Sequence, residues 1–141
     1  MKESKIFLIS TALGRDLRGF EAHTQDLFTE LSKELHPRVF LIKAAGQCTE
    51  NQVRVFNLYR KSIAARMLGF IIRRNPYVIQ NITFCVGLIP VILRHKPAIL
   101  YMGEPVLYEY LRRLRTLCRL SYKMIFYSGG NTIPKYMNAQ D

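Results

Sequence analysis

The stretch Lys5-Ile6-Phe7-Leu8-Ile9-Ser10, then Thr11-Ala12-Leu13-Gly14-Arg15-Asp16-Leu17-Arg18, then Gly19-Phe20-Glu21, decides the fold. A short apolar run that stops at a small-residue loop and enters an amphipathic helix is the first βα unit of an α/β sheet. The helix, predicted over 20–35, sets Phe20, Leu27, Phe28, Leu31 and Leu35 on one face. Pro37 ends it, because proline disfavours helical geometry in the residue before it. Further strands are predicted over 39–44, 53–57, 98–102 and 123–127, and helices over 62–73, 76–94 and 108–120. The order is β-α-β-β-α-α-β-α-β. Helical crossovers between apolar strands imply a mostly parallel, right-handed, Rossmann-like sheet of about five strands flanked by helices.

In the helix over 62–73, Ile63, Ala64, Met67, Leu68, Ile71 and Ile72 share one half of the wheel, opposite Arg66 and Arg73. In the helix over 108–120, Leu111, Leu114 and Cys118 point inward, with Leu107 just before it. The segment 77–93 matches the shortest membrane-spanning helices, which need about 17–25 apolar residues. It contains Gln80, Asn81, Thr83 and Pro90, so a core helix under the sheet is the expectation.

The 141 residues are one domain's worth of chain, and 49% apolar residues with eight Phe and eight Tyr fit a packed core. The formal charge is +11 and unevenly spread: between 51 and 103 there is no Asp or Glu. Such one-sided charge points to an anionic partner, whether a membrane surface or nucleotide phosphates, with a solvated basic surface as the plain alternative. Nucleic acid is the least expected partner, because no aromatic-interleaved RNA motif or helix-turn-helix spacing is present. Cys48, Cys85 and Cys118 are widely spaced, and the first strand follows the N-terminus directly. That pattern predicts a cytoplasmic protein without disulfides, peripheral to the inner face of a membrane if lipid is its partner.

Ligands of such sheets bind beyond the carboxyl ends of the strands, so the loops there are the candidate sites. Gly14, Arg15, Arg18 and Gly19 combine a helix start, whose backbone N–H groups attract anions, with guanidiniums that clamp them. The alternative is that the glycines serve turn geometry and the arginines face solvent. Glu21 lies in the first helical turn, where it either faces the cleft or complements the helix dipole, and His23, His36 and His95 read as surface groups. Glu104 follows the fourth strand, as a base or hydroxyl-orienting carboxylate or as an arginine's salt-bridge partner. Ser128, Gly129, Gly130 and Asn131 end the fifth strand and offer backbone amides and a hydroxyl to a ligand, or form a bare turn. There is no P-loop, GxGxxG fingerprint, hydrolytic triad or metal-ligand cluster, so neither a metal nor a cofactor is expected.

Residues 14–28 with 39–46, and the end Phe126-Tyr127-Ser128-Gly129-Gly130-Asn131-Thr132-Ile133-Pro134, resemble the N-terminal half of family 4 glycosyltransferases with the GT-B fold. The likeness runs along nearly the whole chain. It implies an acceptor-side domain, 1–141, of an enzyme transferring a hexose from a nucleotide-sugar to a saccharide or lipid-linked acceptor, with retention. The loop at Gly14, Arg15, Arg18, Gly19 and Glu21 would then face donor phosphates and acceptor, and Glu104 with Ser128, Gly129, Gly130 and Asn131 the acceptor side. Many relatives carry a histidine where this chain has Ser128. The paired-glutamate motif of the donor domain is absent, so the domain is expected to be inactive alone and to need a partner chain or to self-associate. The rival expectation is a non-catalytic binding or scaffold subunit, at a membrane surface or completing a partner's active site.

Overall fold

The five predicted strands form one sheet. The computed structural model describes residues 4–128. In chain order the elements are β1 (Ile6–Ser10), α1 (Gly19–Leu35), β2 (Val39–Lys43), β3 (Gln52–Arg54), α2 (Ile63–Ile71), α3 (Pro76–His95), β4 (Ile99–Met102), α4 (Pro105–Leu117) and β5 (Lys123–Phe126). Every pairing is parallel and the strand order is β3-β2-β1-β4-β5, an α/β Rossmann-like arrangement. Local signals set the helix starts. Asn75 accepts from the Tyr77 N–H with Pro76 at the first helical position, and the Ser62 hydroxyl accepts from the Ala65 N–H. Lys96, in the left-handed region at φ 49°, closes α3.

Register divides the strand side chains between two faces. Phe7, Ile9, Ile42, Leu100 and Met102 pack against Phe84, Leu88 and Ile92 of α3 and Leu107 and Leu111 of α4. Leu8, Val39 and Leu41 pack on the opposite face against Phe28, with Leu27 and Leu31 of α1 beside it. Each fully buried side chain of this size contributes about 1.5–3 kcal/mol, so both layers are needed to hold the sheet. Over β4 and β5 the second face is thinner: Tyr101 is half-buried and Ile125 exposed. By length and composition α3 is apolar enough to cross a membrane, but Ile79, Phe84, Leu88 and Ile92 are buried in the fold.

Three expectations are corrected. Helix α2 turns its large apolar residues outward: Ile63, Met67, Phe70 and Ile71 are 74, 62, 87 and 71% exposed. Its buried side is Ala65 and Gly69, and neither core cluster includes an α2 residue. The reason is close approach, since a Cβ on Gly69 would lie 2.6 Å from the Arg74 carbonyl oxygen. Cys118 is exposed because α4 ends at Leu117, before the turn that would carry the thiol inward. His95 is half-buried against the rings of Phe7 and Phe40, and burial lowers its pKa.

Neighbouring helices therefore carry phenylalanines of opposite worth. Phe84→Ala is expected to cost about 3–5 kcal/mol of unfolding free energy in urea melts, and Phe70→Ala no more than about 0.5 kcal/mol.

Candidate functional site at the strand-order reversal

The chain runs outward from β1 to β3 on one side and from β4 to β5 on the other, so the order reverses between β1 and β4. Open α/β sheets leave a crevice there, beyond the carboxyl ends of the strands. Thr11 follows β1 and Glu104 follows β4. The Thr11 N–H and hydroxyl both donate to Glu104 Oε1, at 2.9 and 3.1 Å. Asn57 Nδ2 donates to the Thr11 carbonyl at 2.9 Å, and Gln80 Nε2 donates to Thr11 Oγ1 at 3.2 Å. Gln80 Oε1 in turn accepts the Arg60 N–H at 3.0 Å. One threonine thus fastens two strand ends, α3 and the loop between β3 and α2.

Glu104 is only 7% exposed, and its second oxygen, Oε2, is buried without a hydrogen-bond partner among the described residues. Burial pushes its pKa up to about 7; the Thr11 hydrogen bonds oppose that rise and the nearby Glu21 charge adds to it. It borders a cleft of about 180 Å³ shared with Arg18, Phe20, Glu21, Arg60, Tyr77 and Gln80. Gly103 shapes this cleft: a Cβ there would fall 2.3 Å from the Phe20 ring. Burial, with Glu104 nearby, also pushes the Tyr77 phenol up to about 12, keeping it a donor. Carboxyl, phenol, amide and guanidinium groups around so small a space suit a hydroxyl-bearing ligand.

The loop of residues 11–18 also borders a second cleft, of about 320 Å³, with Gly14, Arg15, Lys43 and Gly46 on its walls. Gly14 and Gly46 have φ of 92° and 87°, and a Cβ on Gly14 would lie 2.1 Å from the Ala45 carbonyl oxygen. Only glycine permits that approach. Lys43 is buried, and among the described residues its ammonium donates to neutral acceptors, the Gln47 carbonyl and Gln52 Oε1. Arg15 donates to Asn57 Oδ1 at 2.8 Å and lies over the Tyr59 ring. Two cations facing neutral partners leave positive charge for an anion. Asp16 also borders this second cleft, and its carboxylate accepts from Tyr59 at 2.8 Å, Arg60 at 2.9 Å and Arg18 at 3.0 Å. The Tyr59 hydrogen bond, helped by Arg18 and Lys61, holds its carboxyl below the usual range.

Of the residues singled out in the sequence, Arg18, Glu21 and Glu104 meet in the smaller cleft, while Gly14 and Arg15 border the larger. Gly19 has open space around it. Ser128 is exposed, and Gly129, Gly130 and Asn131 lie outside the described residues. His23 is half-buried, not a free surface group: its Nε2 lies 3.1 Å from the Tyr101 hydroxyl and its ring stacks on Tyr127 at 4.5 Å. Sequence reasoning missed Thr11, Asp16, Asn57, Tyr77 and Gln80 as site residues. Gln80 carried a signal, since an amide on the buried side of an apolar helix must find a polar partner. Among the described residues no group of three His, Cys, Asp or Glu could hold a metal ion.

Fold and crevice define an α/β domain with a polar site at its strand-order reversal. The chain matches no protein-family model, curated protein or solved structure in the comparisons made.

The buried carboxyl makes stability depend on pH in a stated direction. A folded pKa near 7 against an unfolded value of 4.5 favours the protonated fold, so stability is full at pH 4 and falls as pH rises to 7. Glu104→Gln keeps an oxygen for Thr11 and removes the ionisation. It is expected to be more stable than the parent at pH 8, by on the order of 3 kcal/mol at most, and to show little of that gain at pH 4. Thermal melts at the two pH values measure this. Asp16→Asn is expected to act oppositely, losing stability at neutral pH and progressively less as pH falls below the ordinary carboxylate value of 3.8.

Proposed function

We propose that this chain is the acceptor-side domain of a nucleotide-sugar-dependent hexosyltransferase. The single observation that carries the reading is Glu104, a buried carboxyl at the edge of a small polar cleft, with one oxygen bound to Thr11 and the other without a partner among the described residues. With a pKa near 7, Glu104 is populated in both forms at neutral pH. As a carboxylate, Oε2 accepts a hydrogen bond from a saccharide hydroxyl and turns its oxygen toward the donor's anomeric carbon. The second cleft supplies the other requirement. Lys43, Arg15 and the amides beside Gly14 and Gly46 can hold a diphosphate, whose developing charge such groups stabilise as the glycosidic bond to it breaks. The loop of residues 11–18 borders both clefts and so joins acceptor to donor. The resemblance to family 4 glycosyltransferases agrees with this division of labour.

Amide chemical-shift titrations test the reading. A panel of free mono- and disaccharides at millimolar concentration is expected to shift Thr11, Gln80 and Gly103, and Glu104→Ala to weaken the effect at least tenfold. Nucleoside diphosphates are expected to shift Gly14, Arg15 and Gly46 instead. If no saccharide moves the first set, or if Glu104→Ala binds like the parent, the acceptor assignment fails. A non-catalytic binding domain then becomes the better description.

A further inference from the structure

Helix α2 is amphipathic in the wrong sense for a protein held together only by its own core. Positions 63, 67, 70 and 71 follow the i, i+4, i+7, i+8 spacing that a buried helix face normally shows, yet all four face solvent. The inward side is small residues laid against α3 and the turn after α2. Folding has spent the smooth face on packing and left the oily face outside.

The charge around that face identifies its occupant. Arg66 lies on α2, and Arg73 and Arg74 follow it in an exposed turn, where Arg73 is held at φ 53°. Among the described residues no carboxylate pairs with these three guanidiniums. An open groove of about 620 Å³ at the end of α2 combines Phe70 and Ile71 with Arg73 and Arg74, placing apolar groups directly beside guanidiniums. No acid stands anywhere between 51 and 103 to offset them. A second copy of the chain would bring the same positive charge against this face and be repelled. A bilayer surface that is apolar within and anionic at its headgroups matches both chemistries at once.

We propose that α2 is a membrane-docking element, with Ile63, Met67, Phe70 and Ile71 entering the boundary between headgroups and acyl chains while Arg66, Arg73 and Arg74 hold lipid phosphates. The surface is independent of the Glu104 cleft and stands whatever that cleft binds.

The chain contains no tryptophan, so Phe70→Trp is a single-site fluorescent reporter in the full chain. With vesicles of phosphatidylcholine and phosphatidylglycerol, its emission is expected to shift to the blue and to be quenched by brominated acyl chains. Pure phosphatidylcholine vesicles and soluble glycerol phosphate are expected to leave it unchanged. Flotation of the unlabelled chain with the anionic vesicles is expected to fall at least tenfold for Phe70→Ser/Ile71→Ser, and severalfold in high salt or for Arg73→Gln/Arg74→Gln. Circular dichroism verifies that these surface variants fold. Glu104→Gln is expected to float like the parent, which separates this proposal from the acceptor assignment. The proposal is overturned if the tryptophan stays water-exposed with anionic vesicles, or if Phe70→Ser/Ile71→Ser floats undiminished. It is equally overturned if the chain forms a dimer that these substitutions dissociate while lipid binding is absent.

Discussion

Thr11 is the residue on which the arrangement at the top of the sheet depends. Its N–H and hydroxyl hold Glu104 at the end of β4, its carbonyl takes Asn57 from the loop after β3, and its hydroxyl oxygen takes Gln80 from α3. A crevice at a strand-order reversal exists because the two neighbouring strand ends part company there, leaving backbone polar groups that no strand pairing satisfies. Here those groups are satisfied by buried side chains from three other segments. In such a network each unmade bond costs more than it would in water, and its members fix one another's positions. The carboxyl of Glu104 is thereby held still, with one oxygen to spare.

That spare oxygen works against folding. An acid buried without a cation beside it weakens the fold wherever it ionises, and the guanidiniums of Arg18 and Arg60 are directed instead to Asp16. A structure under selection for stability alone would place one of these arginines on Glu104 or replace the acid with glutamine. Keeping the acid neutral-prone and the arginines occupied next door makes sense if the cleft needs a proton-accepting group near neutral pH. The same logic covers Lys43, buried with only neutral oxygens around it. Each cleft holds one group whose best partner is not among the described residues.

Most of the fold was legible because the signals were local and periodic: apolar strands of four or five residues, helical spacing between them and a proline at a helix boundary. The candidate site was legible in part. Glu104 follows the end of β4, and Arg18 and Glu21 stand where the loop after β1 enters α1, positions that topology alone marks. Asn57, Tyr77 and Gln80 come from segments far from β1 in sequence and reach Thr11 or its cleft through the loop after β3 and the crossover of α3. No spacing rule encodes such a meeting. Cys118 was misplaced for a smaller reason, since helix ends shift by a residue or two and its side depended on one further turn.

Helix α2 teaches a different lesson, because the apolar half read from its sequence left out Phe70, the most exposed of its large apolar residues. Hydrophobic periodicity states that a helix has an apolar face but not what covers it. The usual inference, that the face turns to the protein's own core, requires a vacant place in that core. Here α3 and α4 already cover one face of the sheet and α1 packs on β1 and β2 of the other. A helix inserted before α3 in the same crossover lies on the face that α3 and α4 already cover, so it packs outboard on α3. In that position the small side must face inward, because Gly69 and the turn through Arg74 and Pro76 leave no room for a side chain. The apolar face is then exposed by topology, and the run without acids from 51 to 103 determines what kind of surface can cover it.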